Sequence, residues 1–432
     1  MSNESNSNES SGQNQVDAGG DFTRSMTDDT TNTSSTSNDG GESSFSESSS
    51  QGFLARLGNA VVGVLVGLVL AALSVPLLFW NEGRAVREYR ALSEGGGAVQ
   101  SAQADKVDPA FEGKLIHVSG KAKGNSALKD SVLAVSAPEL SALSLRRTVE
   151  VFQWKEESSS ETRKKLGGGT ETVTNYKYTQ AWSNSPVPST GFKQPNGHSN
   201  PANWQLKSDS VNASEATLGA FKLTAAQVSN LGGGKPFPLT ALPANLPEWM
   251  KDRTTVVDGA LYVSVGGGRN PQSPEVGDTR IRFALVEATD ASIVAKQQGA
   301  SLVAYKASNG NTIELLQAGI QPAAAMFKQA ESSNKIITWL IRAGGFILMW
   351  IGFGMLFKPL DILADIVPFV GSIVSAGTTF IAFILASVGS LVTAAVAWIF
   401  YRPLIGIALL ALAGGAIYWL WQKRHPAKLK AA

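Results

Sequence analysis

The sequence predicts an α+β membrane protein. Four transmembrane helices, one N-terminal and three C-terminal, hold a large, mostly β extracytoplasmic domain between the first and the second. Three observations carry this reading. Residues 61–80 read VVGVLVGLVLAALSVPLLFW without a charge, and at 1.5 Å per residue they reach about 30 Å, the thickness of a hydrocarbon core. The last hundred residues hold three further apolar runs, 336–357, 366–400 and 404–421, interrupted only by Arg342. Between the two regions lies a polar stretch of roughly 250 residues, large enough for a core of its own.

Residues 1–52 are mostly Ser, Asn, Thr, Gly, Asp and Glu, with Arg24 as their sole cation. So little apolar surface cannot offset the entropy of ordering, and the tail is expected to be disordered and solvated. The first span is placed at 57–80. It is read as an uncleaved signal anchor, because LLFWNEGR at 77–84 offers no small-residue cleavage site.

The domain at 81–320 reads as strands. Residues 146–154 (RRTVEVFQW) and 171–182 (ETVTNYKYTQAW) alternate, linked by a charged, Gly-rich hairpin at 155–170. Residues 279–287 place Ile281, Phe283 and Leu285 inward and Arg280 and Arg282 outward; 293–306 forms a hairpin turning at Gln298–Gly299. Residues 114–121, 254–265 and 311–317 are further strands, and 183–250 is irregular. An amphipathic helix at 321–335, with Ala323, Met326, Phe327 and Ala330 on one face, leads into the second span at 336–357. An interfacial loop at 358–371 precedes the third span at 372–400. The fourth follows at 404–421, then a basic tail at 422–432. A pair of half-spans around Gly389 is the alternative for the third apolar run, and would reverse the C-terminus.

Four spans place both termini on one side. Lys423, Arg424, Lys428 and Lys430 mark that side as cytoplasmic, with Arg84, Arg87 and Arg90 as opposing signals.

The composition excludes several functions. There is no Cys, hence no disulfide, thiolate nucleophile or Cys zinc site, and the net charge of +2 argues against nucleic acid. His117, His198 and His425 lack metal-ligand spacing, and no G-x-S-x-G elbow occurs. The Gly triplets at 95–97, 167–169, 232–234 and 266–268 read as loop hinges. The stripe Tyr176, Tyr178 and Trp182 reads as sheet core rather than a binding platform. No cofactor is expected, and the protein reads as non-enzymatic.

The charges near the membrane are the candidate sites. Arg342 lies about 9 Å into its span, within snorkelling reach of the interface, with a buried carboxylate or lipid phosphate as the alternative partner. Asp361 and Asp365 share one helix face, read as solvent-facing polarity with cation or partner binding as the alternative. Arg402 sits in the turn after the third span. These four are candidate lipid or partner contacts; Asn81, Glu82, Gly83 and Arg84 are a candidate structural motif. Gly371, Ser375, Gly377, Gly389 and Ala394 would permit close helix approach along the third span.

The motifs FWNEGRAV (79–86), RRTVEVFQW (146–154), YKYTQAW (176–182), GHSNP (197–201), PEVGDTRIRF (274–283), VAKQQGASLVAY (294–305), TWLIRAGG (338–345) and FYRPL (400–404) together resemble the transmembrane protein 43 (LUMA) family from about residue 55 onward. The resemblance implies four spans, a lumenal domain between the first and second, self-association, and no established catalytic residues. For eukaryotic members it implies the endoplasmic reticulum and inner nuclear membrane, with lamins and emerin as partners. The absence of Cys and the Gly- and Ala-rich loops depart from animal members and suggest a bacterial homologue, with an inner-membrane location and a periplasmic domain. The leading reading is a membrane organiser or scaffold acting through self-association and contacts with membrane lipids or partners. A channel or pore-forming subunit is the alternative, and an unseen enzyme a third reading.

Overall fold

The computed structural model describes residues 33–39, 42–267, 270–403 and 415. Three helices among them are long and apolar enough to cross a membrane: α1 (Phe53–Ala98), α2 (Ala323–Ala364) and α3 (Pro368–Tyr401). The expected fourth span at 404–421, the basic tail and His425 lie outside the described residues.

α1 and α2 are each longer than their apolar runs. α1 has 46 residues, about 69 Å, so it leaves the 57–80 span without a break and enters the β domain. Leu92 and Ala91 near its end are buried with Met326 and Phe327 of α2 against Leu115, Val294 and Ile313. The expected amphipathic helix and second span are therefore one element, since Met326 and Phe327 continue the helical face through Pro322–Asn334 with no intervening breaker. The Gly95–Gly97 triplet is helical rather than a hinge. An added Cβ at Gly95 would lie 2.5 Å from Ile313 Cδ1 and 3.1 Å from Phe327 Cε1, so the glycine permits close docking.

α2 also runs through Pro359 into the expected interfacial loop and ends at Ala364. The chain reverses at once, with Pro368 starting α3; proline is suited to a first helical position because its missing N–H would be unpaired there anyway. α3 is one continuous helix of 34 residues, which excludes half-spans around Gly389.

Among the described residues two large sheets build the domain, beside a two-stranded pair of 305–306 with 312–313. One runs in the order 33–39, 42–51, 170–183, 144–164, 279–286, 260–263, 254–257, with 235–237 beside 279–286 and 209–212 beside 144–164. In the other, 289–298 pairs with 301–303, which pairs with 221–223, then 216–218, then 115–123, which returns to 289–298. These five strands close on themselves, which removes their edges. Ile116, Val118, Leu145, Val149, Ile281, Phe283, Leu285 and Ile293 fill the shared core, and complete burial of each such side chain stabilises by about 1.5–3 kcal/mol.

The alternation at 279–287 and the turn after Gln298 follow the sequence reading, with Gly299 at φ +56°. Residues 254–265 form a hairpin rather than one strand. Asp258 and Gly259, at φ +50° and +72°, make the two-residue turn that Asp-Gly favours.

The tail differs most from expectation. Residues 1–32 lie outside the described residues, but Thr33–Asp39 and Glu42–Gln51 are strands. Glu42–Gln51 is antiparallel to Thr170–Ser183. Its local propensity is poor, so cross-strand contacts hold it. Phe45 meets Tyr176 with ring centroids 6.0 Å apart, Glu47 pairs with Lys193, and Ser43 bonds His198. The 155–170 segment is likewise mostly strand. Ser160 and Thr162 bond Thr174 and Thr172 across the pair, each at 2.9 Å, and only 165–169 turns.

Candidate functional site

The described helices meet in two polar clusters, one at each end of the apolar bundle. The first lies where α1 and α2 enter the domain, and collects the Asn81–Arg84 motif, Arg342 and Arg402. Arg342 donates from Nε to Glu82 Oε1 at 2.6 Å and from Nη2 to Glu82 Oε2 at 2.8 Å. Trp398 of α3 donates its indole N–H to Glu82 Oε2 at 2.7 Å. The guanidinium also lies over the rings of Trp339 and Trp398, 4.9 and 5.9 Å from their centroids. Arg342 is thus held by a carboxylate rather than snorkelling freely. Glu82, 3% exposed, has its charge satisfied by three donors, as a buried carboxylate requires.

The rest of the motif ties the same helices. Arg84 donates to Asn334 Oδ1 at 3.1 Å and to Thr338 Oγ1 at 3.0 Å; Asn81 donates to the Thr338 carbonyl at 3.1 Å; Asn334 donates to the Ala85 carbonyl at 3.0 Å. These groups sit at helix positions four apart, 334 and 338 on α2 facing 81, 84 and 85 on α1. Gly83 faces α3, and a Cβ there would lie 2.5 Å from Tyr401 Cζ. Arg402 follows directly, its guanidinium 6.0 Å from the Tyr89 ring centroid, and Arg90 donates to the Tyr401 carbonyl at 3.0 Å. A cavity of about 610 Å³ opens beside this knot, lined by Arg90, Lys335, Trp339, Arg342, Trp398 and Arg402 among others.

The second cluster corrects the reading of Asp361 and Asp365 as solvent-facing. Both are buried, at 6% and 1% exposure. Asp361 accepts from Thr378 of α3 at 2.6 Å. Asp365 accepts from Arg56 at 2.7 Å and from Lys164 at 2.6 Å. The reversal from α2 into α3 covers both carboxylates, and the Cα of Asp365 would lie 2.7 Å from a Cβ on Gly371. Lys164 comes from the tip of the 144–183 hairpin, where the Gly167 N–H also donates to the Ile366 carbonyl. Arg56 and Glu82 are separated by about 39 Å along α1. The hairpin tip therefore reaches the bundle end opposite the domain, where the sequence reading kept the whole domain at one end.

Between the clusters, small residues set the helix spacing. A Cβ on Gly67 would lie 2.6 Å from the Gly352 carbonyl oxygen, and one on Gly352 would lie 2.7 Å from that of Gly67. Gly345 admits Leu78 and Gly389 admits Met349. Of the small residues singled out on the third span, Gly371 and Gly389 make close internal contacts, while a Cβ on Gly377 would meet nothing within 4 Å among the described residues.

Tyr178 is buried, stacked on His198 with ring centroids 4.0 Å apart, and donates to Glu156 at 2.8 Å. Burial first, and then the bond to Glu156, push its phenol pKa up to about 12. His117 bonds the Gln321 carbonyl, and among the described residues no group of three His, Asp or Glu is placed to hold a metal.

Sequence reasoning missed Arg56, Lys164, Asn334, Thr338 and Trp398 as site residues, and read Tyr401 only as part of the turn that holds Arg402. The i, i+4 pair Asn334 and Thr338, straddling the start of an apolar run, was a readable sign of a helix–helix polar contact; Lys164, in a charged hairpin, carried no such sign.

A family model described as transmembrane protein 43 matches residues 151–403. The chain is 33% identical to transmembrane protein 43 of Rattus norvegicus over 374 residues, 84% of this chain and 90% of that protein. It is 31% identical to the Homo sapiens protein over 377 residues, 85% and 91% of the two chains. With the Drosophila melanogaster homolog it shares 29% identity over 372 residues, 84% and 94%. No solved structure matches the chain.

Proposed function

This chain belongs to the transmembrane protein 43 family, and on that premise we propose that it is a non-enzymatic membrane organiser that self-associates and contacts lipids or partners. It is an integral membrane protein with a β domain between its first and second long apolar helices. The observation that carries the proposal is the unbroken passage of α1 and α2 from the apolar bundle into the domain core. Such a join makes the domain a rigid extension of the membrane anchor, suited to holding a partner at fixed height.

Self-association draws on glycines not used internally. At Gly344, Gly354 and Gly377 an added Cβ would meet nothing within 4 Å among the described residues, leaving faces where a second copy can approach closely. Native mass spectrometry of the full chain tests this. Gly354→Leu with Gly377→Leu should dissociate the oligomer, and an unchanged stoichiometry would count against it.

The reading includes a fourth span at 404–421, an extracytoplasmic domain and cytoplasmic termini, supported by Lys423, Arg424, Lys428 and Lys430. Reporter fusions at Asn309 and Ala432 should then report opposite sides. The membrane itself is a bacterial inner membrane if the chain is bacterial, and the endoplasmic reticulum or inner nuclear membrane otherwise.

One observation favours a pore-forming subunit as a second reading. The hairpin of 155–164 and 170–178, with 42–51 alongside, is rich in Ser, Thr, Glu and Lys and ends at Arg56. Such strands have no place among acyl chains and need water or protein around them, which a ring of copies would supply. Conductance in proteoliposomes separates the two readings.

A further inference from the structure

The cavity beside the Glu82–Arg342 knot has a charge balance that the fold does not use. Arg342 and Glu82 satisfy each other. That leaves Arg90, Lys335 and Arg402 on the wall against Glu331. Among the described residues, no ion pair takes up Lys335 or Arg402; Arg402 rests on the Tyr89 ring and Arg90 holds only the Tyr401 carbonyl. The cavity therefore presents a surplus of two cations.

Its height in the bundle says what they face. The floor is Trp339, Arg342 and Trp398, at the end of the apolar helices, and Trp339 is 67% exposed, as aromatic residues at a membrane interface are. From Trp80, the last residue of the apolar run, to Arg90 the helix rises about 15 Å. That interval crosses the headgroup layer, about 5–8 Å thick on each side of the core, and carries Arg90 to its outer edge. A cavity of about 610 Å³ is open enough for a phosphate and its glycerol.

The geometry points to a binding site for the phosphate of an anionic phospholipid. Arg402 and Lys335 would hold the phosphate oxygens, Arg90 would add charge at the outer rim, and the acyl chains would descend past Trp339 along the exposed faces of α2 and α3. A guanidinium suits this role because its fork meets two phosphate oxygens at once. Glu331 disfavours a second negative charge beyond the phosphate, which selects a singly charged headgroup such as phosphatidylglycerol. The inference deepens the lipid-contact part of the proposed function and leaves self-association untouched.

The test uses the full chain in nanodiscs of phosphatidylglycerol or phosphatidylcholine, with retained lipid counted by native mass spectrometry. Each unpaired cation near a charged surface contributes about fivefold in affinity, so the wild type should prefer phosphatidylglycerol by about thirtyfold. Lys335→Gln with Arg402→Gln should abolish the preference at unchanged oligomer size, while Lys335→Arg with Arg402→Lys should keep it. Equal retention of the two lipids by the wild type, or an undiminished preference in the Gln variant, would overturn the site. Added inorganic phosphate distinguishes the sources of the anion. If it binds wild type but not the Gln variant, with no lipid preference in either, the cavity is a free-phosphate site and the lipid assignment is wrong. A lost oligomer with lipid preference intact would sink the organiser reading alone.

Discussion

Arg342 and Glu82 form a two-point pair, 2.6 and 2.8 Å, between α2 and α1. Residues 260 positions apart are held in register at the membrane–domain boundary, with Trp398 of α3 closing the set. A carboxylate at 3% exposure cannot be left alone. Removing one partner of a buried pair costs about 3–5 kcal/mol, because the other charge stays buried. Arg342→Ala should therefore lower the thermal midpoint of the detergent-solubilised protein strongly. Arg342→Lys should fall between, since an ammonium cannot reproduce the fork. A Lys variant as stable as wild type would return Arg342 to the role of an interfacial anchor.

Helix spacing depends on Gly67, Gly352 and Gly83. Gly67→Ala and Gly352→Ala each put a Cβ within 2.7 Å of backbone on the facing helix, an overpacking that costs about 1–3 kcal/mol. Gly83→Ala meets the Tyr401 ring, and Tyr401→Ala should relieve it. A double variant no more stable than Gly83→Ala alone would contradict that geometry.

Asp365 binds two cations that are remote from it and from each other in sequence, Arg56 and Lys164. Asp365→Asn leaves Arg56 buried without its carboxylate and should destabilise; Lys164→Gln, whose partner keeps Arg56, should do so far less. Because the chain has no Cys, Leu166→Cys with Ile366→Cys, both exposed and beside the Gly167–Ile366 backbone bond, can be joined by a short bis-maleimide without background. Absence of a cross-link in membranes would place the hairpin tip elsewhere and remove the basis of the pore reading.

Truncation before residue 33 removes only low-complexity chain and should leave stability unchanged. Truncation before Gly52 should not be silent, since it strips the Glu42–Gln51 strand with its Phe45, Glu47 and Ser43 contacts. Equal thermal midpoints for the two truncations would show that this strand contributes nothing.

The domain should weaken in alkali through Tyr178. Its folded pKa is raised from 10.0 to about 12, so the folded state holds the phenolic proton more tightly than the unfolded state. The stability it contributes is complete below pH 10 and is lost as pH rises toward 12. Tyr262, raised in the same direction by burial and by Asp278, adds a dependence of the same sign. Tyr178→Phe should flatten the fall in unfolding midpoint between pH 10 and 12 without removing it.

The sequence by itself determined whatever follows from local composition. Long uncharged runs demand a bilayer, and the alternation at 279–287 fixes which of Ile281 and Arg282 faces the core, because side chains in a strand alternate. It also marked Arg342 as the lone charge within the apolar runs, and singled out Asn81–Arg84 as a candidate structural motif. Tertiary structure decided which charges meet. Glu82 and Arg342 are neighbours only once α1 and α2 lie side by side, and Asp365 is buried only because α3 folds back and Lys164 arrives from a distant hairpin. The Glu42–Gln51 strand makes the same point from the other direction. Its Ser-rich sequence has no strand preference, and it pairs because Thr170–Ser183 offers a free edge. Burial of a polar residue depends on partners remote in sequence, and no local pattern encodes them.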